Sequence, residues 1–160
     1  MPSINKLYLI IGPGLIVCYA LQYTFYPESQ AFVTFQNDGT YKLVTGLLLL
    51  LLILTQWGLT FARVTKLTSA KCEMTLSFHK WSGAISPLLL FIHSIKIGNG
   101  YLAILTLTFI TNLVLGFLSI GKSKPIHIRY FQTWVLLHSV FSVVVLVLTF
   151  FHIWVVVYFE

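Results

Sequence analysis

The chain has 160 residues, of which 58% are hydrophobic and only 9% are charged. This balance lies far outside the usual range of soluble domains and is typical of a protein embedded in lipid. The formal net charge of +6 has the sign that a nucleic-acid partner requires, but basic residues of a membrane chain are first sorted by the side of the membrane that they occupy.

Five apolar segments are long enough to cross a hydrocarbon core of about 30 Å. In chain order they are residues 7–26, 43–62, 78–97, 101–120 and 134–158. We therefore expect an all-α integral membrane bundle of five transmembrane helices, which forms a single transmembrane domain over residues 1–160. The polar connection 27–42 has β-type residues on both sides of an Asn-Asp-Gly turn signal, which is consistent with a small external β-hairpin. We interpret it as a connector, with a docking surface for an external partner as the alternative.

The basic residues predict the orientation of the bundle. If the N-terminus is cytoplasmic, eight of the ten fall on the cytoplasmic side: Lys6, Arg63, Lys66, Lys71, Lys80, Lys122, Lys124 and Arg129. Only Lys42 and Lys96 fall on the other side. Since cytoplasmic loops are enriched in Lys and Arg, we expect the C-terminus to be external. This bias explains the net charge without any nucleic-acid partner and leaves membrane lipid as the surroundings of the chain.

Four of the five histidines lie in predicted membrane helices and form two pairs with the same spacing. His79 and His93 are fourteen positions apart on the third helix, as are His138 and His152 on the fifth. At about 1.5 Å and 100° per residue, each pair lies on one helix face with a rise of about 21 Å. The two helices run in the same direction, so His79 matches His138 in height and His93 matches His152. The remaining histidine, His127, is interpreted as a loop residue, with contact to a quinone, a propionate or a donor protein as the alternative.

Two imidazoles at each height suit a b-type haem, because the porphyrin supplies four equatorial nitrogens and the protein only the axial ligands. Zinc usually takes three or four protein ligands, with sulfur or carboxylate among them. We therefore predict two bis-histidine haem b groups, one with its iron on His79 and His138 (inner) and one on His93 and His152 (outer). The sequence leaves open whether a quinone also binds.

Small residues beside the predicted ligands leave room for a flat macrocycle. They are Gly83 and Ser86 on the His79 face and Ser142 on the His138 face. Pro87 lacks an amide proton, so it leaves the carbonyl of Gly83 without its helical donor and should bend the third helix.

Basic residues near the helix ends are candidates for binding the haem propionates. They are Arg63, Lys80 and Arg129 on the inner side and Lys96 on the outer side. For each of them, orientation charge or snorkelling toward the interface is the competing interpretation.

The stretches HKWSG and FIHSI on the third helix, with WVLLH and FFHIW on the fifth, resemble the ferric reductase-like transmembrane family over residues 60–155. That family includes eukaryotic iron reductases, NADPH oxidases and the haem subunit of a bacterial periplasmic methionine sulfoxide reductase. The resemblance implies that the four paired histidines hold two stacked haems that pass electrons across the bilayer.

The oxidases and iron reductases of that family continue into a sixth helix and a cytoplasmic flavin and nicotinamide domain, which have no counterpart here. The resemblance therefore implies an electron-transfer subunit of an oxidoreductase complex that is not self-sufficient. Its donor would be a separate subunit, a membrane partner or a quinol, within a hetero-oligomeric assembly. The expected location is the bacterial inner membrane or an equivalent energy-transducing membrane.

Three alternatives remain open. A quinol-oxidising cytochrome b also carries paired histidines on parallel helices, although the 45 positions from His93 to His138 are few for its long connection and the predicted orientation differs. A non-redox scaffold or assembly factor would use the histidines to hold helices together. A metal-ion carrier would retain zinc or copper without porphyrin.

Overall fold

The computed structural model describes residues 7–25, 30–65, 68–118 and 128–159, and throughout these ranges the regular structure is helical, with no strand. This confirms the all-α prediction. The helices are α1 Tyr8–Phe25, α2 Gln30–Asn37, α3 Gly39–Gln56, α4 Gly58–Val64, α5 Ser69–His93, α6 Tyr101–Phe117 and α7 Ile128–Phe159.

Three helical stretches in the described ranges are long and apolar enough to cross a membrane, namely Tyr8–Phe25, Gly39–Val64 and Arg129–Phe159. Tyr101–Phe117 is a shorter apolar helix. The 25-residue helix α5 is not in this group, because its first half is more polar than those three stretches. A membrane protein is therefore supported, while the count of five spans and the orientation stay predictions.

The chain forms two compact units, Met1–Lys96 and Ile97–Glu160. In the first unit α5 packs against α1, α3 and α4, and α2 packs against α3. In the second unit α6 packs against α7. Each histidine pair thus belongs to its own unit, and the single domain over residues 1–160 remains a prediction.

The predicted β-hairpin is wrong for the described part of residues 27–42. Gln30–Asn37 forms helix α2, and Asp38 is the N-cap of α3, where its side chain accepts a hydrogen bond of 2.7 Å from the Tyr41 amide. Aspartate is favoured at this position because its carboxylate satisfies an amide that has no helical acceptor. The Asn-Asp-Gly signal therefore marks the junction of two helices.

The third predicted helix, 78–97, lies nearer the N-terminus than the sequence indicated. Helix α5 begins at Ser69 and ends at His93, and Ser94 is extended. Gly98 and Gly100 follow with positive φ angles of 79° and 60°, which residues with a Cβ rarely adopt. His93 is therefore the last residue of α5, not a residue inside the helix as predicted.

Candidate functional site: the four membrane histidines

His79 is held by the end of α3. Its Nδ1 lies 3.2 Å from the carbonyl oxygen of Gln56, the last residue of α3, and carbonyls at a helix end lack helical donors. A carbonyl oxygen only accepts, so Nδ1 carries the proton. In the neutral form of this ring, the lone pair is then on Nε2.

The Gln56 side chain extends this contact along α5. Its Nε2 donates a 2.6 Å hydrogen bond to the Ser82 hydroxyl, and a Cβ added at Gly83 would lie 3.8 Å from its Oε1. Gly83, which the sequence predicts to make room for a cofactor, lies beside the side chain of Gln56 in the described structure.

His93 is held by the second turn of α3. Its Nδ1 lies 3.1 Å from the Thr45 hydroxyl oxygen, and that hydroxyl donates its one proton to the Tyr41 carbonyl at 2.8 Å. With the hydroxyl proton on the nearer Tyr41 carbonyl, the Thr45 oxygen accepts from the His93 Nδ1–H. The lone pair of this ring is again on Nε2.

Gly46 allows the His93 ring to lie close to the backbone of α3. A Cβ added there would be 3.2 Å from Cε1 of His93, which is closer than ordinary carbon contacts of about 3.5–4.0 Å. Thr45 and Gly46 are neighbours in sequence, so one turn of α3 both binds and accommodates the ring.

His138 lies in a similar setting in the second unit. The indole of Trp134 is parallel to its ring within 4°, with centroids 5.9 Å apart, and donates a 2.7 Å hydrogen bond to the Leu115 carbonyl of α6. A Cβ added at Gly116 would lie 3.5 Å from Cε1 of His138. Trp134 and Gly116 therefore hold the ring beside α6.

Ser142, the small residue predicted beside His138, links α7 to α6. Its hydroxyl donates to the His138 carbonyl at 2.8 Å and accepts from the amide of Asn112 at 3.1 Å. It thus fixes the turn of α7 that carries His138.

His152 lies by the first residue of α6. Its Nδ1 is 3.4 Å from the Tyr101 hydroxyl, and the Tyr101 ring packs edge-on against Phe151 at a centroid distance of 5.2 Å. Both α7 histidines thus contact α6, as both α5 histidines contact α3.

Ser86 and Pro87 shape α5 between its two histidines. Helix α5 continues through Pro87, and the Ser86 hydroxyl donates a 2.7 Å hydrogen bond to the Gly83 carbonyl. Because Pro87 cannot donate to that carbonyl, Ser86 supplies the missing donor. Ser86 is 1% exposed, so a water molecule does not readily replace it.

The predicted propionate partners differ in setting. Arg63, Lys96 and Arg129 are exposed, which suits either an interfacial anion or simple orientation charge. Lys80 is half-buried, with its ammonium 5.5 Å from the centroid of the Tyr8 ring, a cation–π contact. His127 lies outside the described residues.

The hydrogen bonds of His79 and His93 are of the kind that ligand histidines make through their second ring nitrogen. Metal-binding histidines almost always donate their second ring N–H to a carbonyl, carboxylate or water, and His79 donates in this way while His93 donates to a hydroxyl. Among the described residues, no group of three or more His, Cys, Asp or Glu side chains could hold a metal ion. The pairing of α5 histidines with α7 histidines stays a prediction.

Thr45, Gly46, Gln56, Tyr101, Gly116 and Trp134 contact the rings but were not in the predicted ligand shell. One sign of Gln56 was present in the sequence, because a lone polar residue in a leucine-rich segment needs a hydrogen-bond partner.

No protein-family model, curated protein or solved structure matches this chain.

Proposed function

We propose that the chain is a di-haem b-type membrane cytochrome that carries electrons across the bilayer as a subunit of a larger redox complex. The observation that carries the proposal is the state of the two α5 histidines. In both rings Nδ1 is engaged by α3, at 3.2 Å from the Gln56 carbonyl oxygen and 3.1 Å from the Thr45 hydroxyl oxygen, so Nε2 is the nitrogen through which either ring would hold iron.

The four paired histidines would supply the axial nitrogens, His79 with His138 and His93 with His152. The bound haems would supply one-electron chemistry. The chain's own contribution is to orient the imidazoles, and the hydrogen bonds that His79 and His93 make with α3 perform this task on α5. Because two histidines would hold each iron, the bound haems would favour electron transfer over binding of oxygen or substrate.

The resemblance to the ferric reductase-like transmembrane family supports the same proposal through HKWSG, FIHSI, WVLLH and FFHIW. On this basis we infer a separate electron donor and acceptor, and an energy-transducing membrane such as the bacterial inner membrane. Arg63, Lys80, Lys96 and Arg129 are the basic residues available to haem propionates.

The same hydrogen bonds also favour a second candidate, a non-redox membrane scaffold. A buried histidine that donates to a carbonyl or a hydroxyl of a neighbouring helix holds two helices together without any cofactor. The two candidates make opposite predictions for the visible spectrum of the purified chain, since a scaffold absorbs no visible light.

The deciding experiment compares reduced-minus-oxidised spectra of the wild-type protein, His93→Leu and His127→Leu. We expect the wild type to show a b-type band with two components in a redox titration. His93→Leu should lose one component and keep most of the other, while His127→Leu, a matched change outside the two pairs, should keep both. A featureless wild-type spectrum, or two unaltered components in His93→Leu, would contradict the proposal.

A further inference from the structure

One side chain binds three backbone groups on both sides of His93. The Gln36 amide nitrogen lies 3.1 Å from the carbonyl oxygens of both Phe91 and Ile92. Its amide oxygen accepts a 3.1 Å hydrogen bond from the Ile95 N–H. Gln36 therefore connects helix α2 to the segment that contains the histidine.

These groups need partners because α5 ends there. The last four carbonyls of a helix have no helical donors, and His93 is the last residue of α5. Gln36 serves two of these carbonyls, and the Tyr41 hydroxyl donates to the Ile92 carbonyl as well, at 2.9 Å. Ile95 is 5% exposed, so loss of the Gln36 acceptor would leave its amide buried and unsatisfied.

Tyr41 joins this network to the His93 ring. Its hydroxyl donates to the Ile92 carbonyl, while its own carbonyl accepts the proton of the Thr45 hydroxyl, which in turn accepts from His93. The end of α5 and the orientation of the ring thus depend on one turn of α3. With Gly46 so close to Cε1, a small shift of the helix end would force the ring to move.

We propose that Gln36 is a positioning residue for His93: it holds the end of α5 in the place where the ring reaches Thr45 and Gly46. The consequence for the outer haem rests on the function proposed above, whereas the effect on the ring itself does not. Sequence patterns gave no sign of this role, since Gln36 lies 57 positions from His93 in a segment predicted as a hairpin or connector.

The test uses the full-length protein in detergent with Gln36→Met, which keeps side-chain length and removes the three hydrogen bonds. Gln36→Glu is the second variant, because its carboxylate still accepts from Ile95 but does not donate to the two carbonyls. Gln132→Met is the matched control, since Gln132 is exposed on α7. The readouts are the ¹⁵N NMR signals of the histidine rings, amide exchange at Ile95 and, in the haem-loaded protein, the two midpoint potentials.

We expect Gln36→Met to shift the His93 ring signal, leave the His138 and His152 signals in place, and speed amide exchange at Ile95 by roughly tenfold. Gln36→Glu should shift the His93 signal with less effect on Ile95, and Gln132→Met should change neither. In the haem-loaded protein only one of the two potentials should move. If Gln36→Met does not fold, the His93 signal of Gln36→Glu decides.

An unchanged His93 signal would overturn the inference, whatever happens at Ile95. The two proposals fail separately. If the wild type holds no haem but the Gln36 variants shift the His93 signal, the haem function is contradicted and the positioning role is supported. If haem binds but the variants leave the His93 signal and both potentials unchanged, the positioning role falls and the haem function stands.

Discussion

Gly46→Ala places a methyl group against the His93 ring. An added Cβ would lie 3.2 Å from Cε1, 3.7 Å from Nδ1 and 4.0 Å from Nε2, so the ring or the helix must move by a few tenths of an ångström. The Nδ1 atom of His93 also lies 3.1 Å from the hydroxyl oxygen of Thr45, the residue before Gly46, in a hydrogen bond. Movement away from the methyl group therefore strains that hydrogen bond.

Two opposing terms set the size of the effect. Replacing a helical glycine by alanine favours the helix by roughly 0.5–1 kcal/mol, whereas overpacking a well-filled contact costs roughly 1–3 kcal/mol. Gly14 in α1 has no atom within 4 Å of an added Cβ, so Gly14→Ala gains the first term alone. We expect Gly46→Ala to be less stable than Gly14→Ala by roughly 1–3 kcal/mol.

The assay is reversible denaturant unfolding in detergent micelles, followed by the redox spectrum of each variant. Gly46→Ala should have the lower unfolding midpoint and should perturb one haem component. Gly116→Ala, whose Cβ would make an ordinary 3.5 Å contact with Cε1 of His138, should be about as stable as Gly14→Ala. If Gly46→Ala is as stable as Gly14→Ala and both spectral components are unaltered, the described contact with His93 is refuted.

Three further changes test individual hydrogen bonds by the same unfolding assay. Thr45→Val should lower the unfolding free energy by about 1–3 kcal/mol because the His93 ring loses its hydrogen-bond partner. Thr45→Ser keeps the hydroxyl and should be more stable than Thr45→Val. Ser86→Ala should lower the unfolding free energy by about 1 kcal/mol. In a Pro87→Ala background, where residue 87 again has an amide N–H, the same change should cost less. An equal cost in both backgrounds would contradict the role given to Ser86. Trp134→Phe keeps the stacking on His138 but loses the 2.7 Å hydrogen bond to Leu115, so we expect it to be about 1 kcal/mol less stable than wild type. Trp134→Leu also loses the stacking and should be less stable still. Equal stability of the two variants would argue against the stacking.

The sequence alone predicted the all-α class because apolar segments of this length depend only on local composition. Apolar runs give helices wherever the backbone must satisfy its own hydrogen bonds. Pro87 predicted a carbonyl at Gly83 without its amide donor, and the structure shows Ser86 as the new donor. The small size of Ser86 predicted room for a cofactor, which stays a prediction, while its hydrogen bond to Gly83 has no signal in the local pattern.

The partners of the rings could not be predicted because they lie far away in the chain. Thr45 is 48 positions from His93, and nothing in the local pattern indicates which of many threonines accepts its proton. The predicted hairpin failed for a different reason. Aspartate before glycine suits both a tight turn and a helix N-cap, and here Asp38 is the N-cap of α3.

The central claim is that four histidines hold two b-type haems, and the haem content of the purified chain tests it most directly. Pyridine haemochrome analysis, combined with a protein determination, gives the ratio of protohaem to polypeptide. We predict a ratio approaching two, falling toward one when His93 is replaced by Leu. A chain without porphyrin, whether empty or retaining only zinc or copper, would contradict the account.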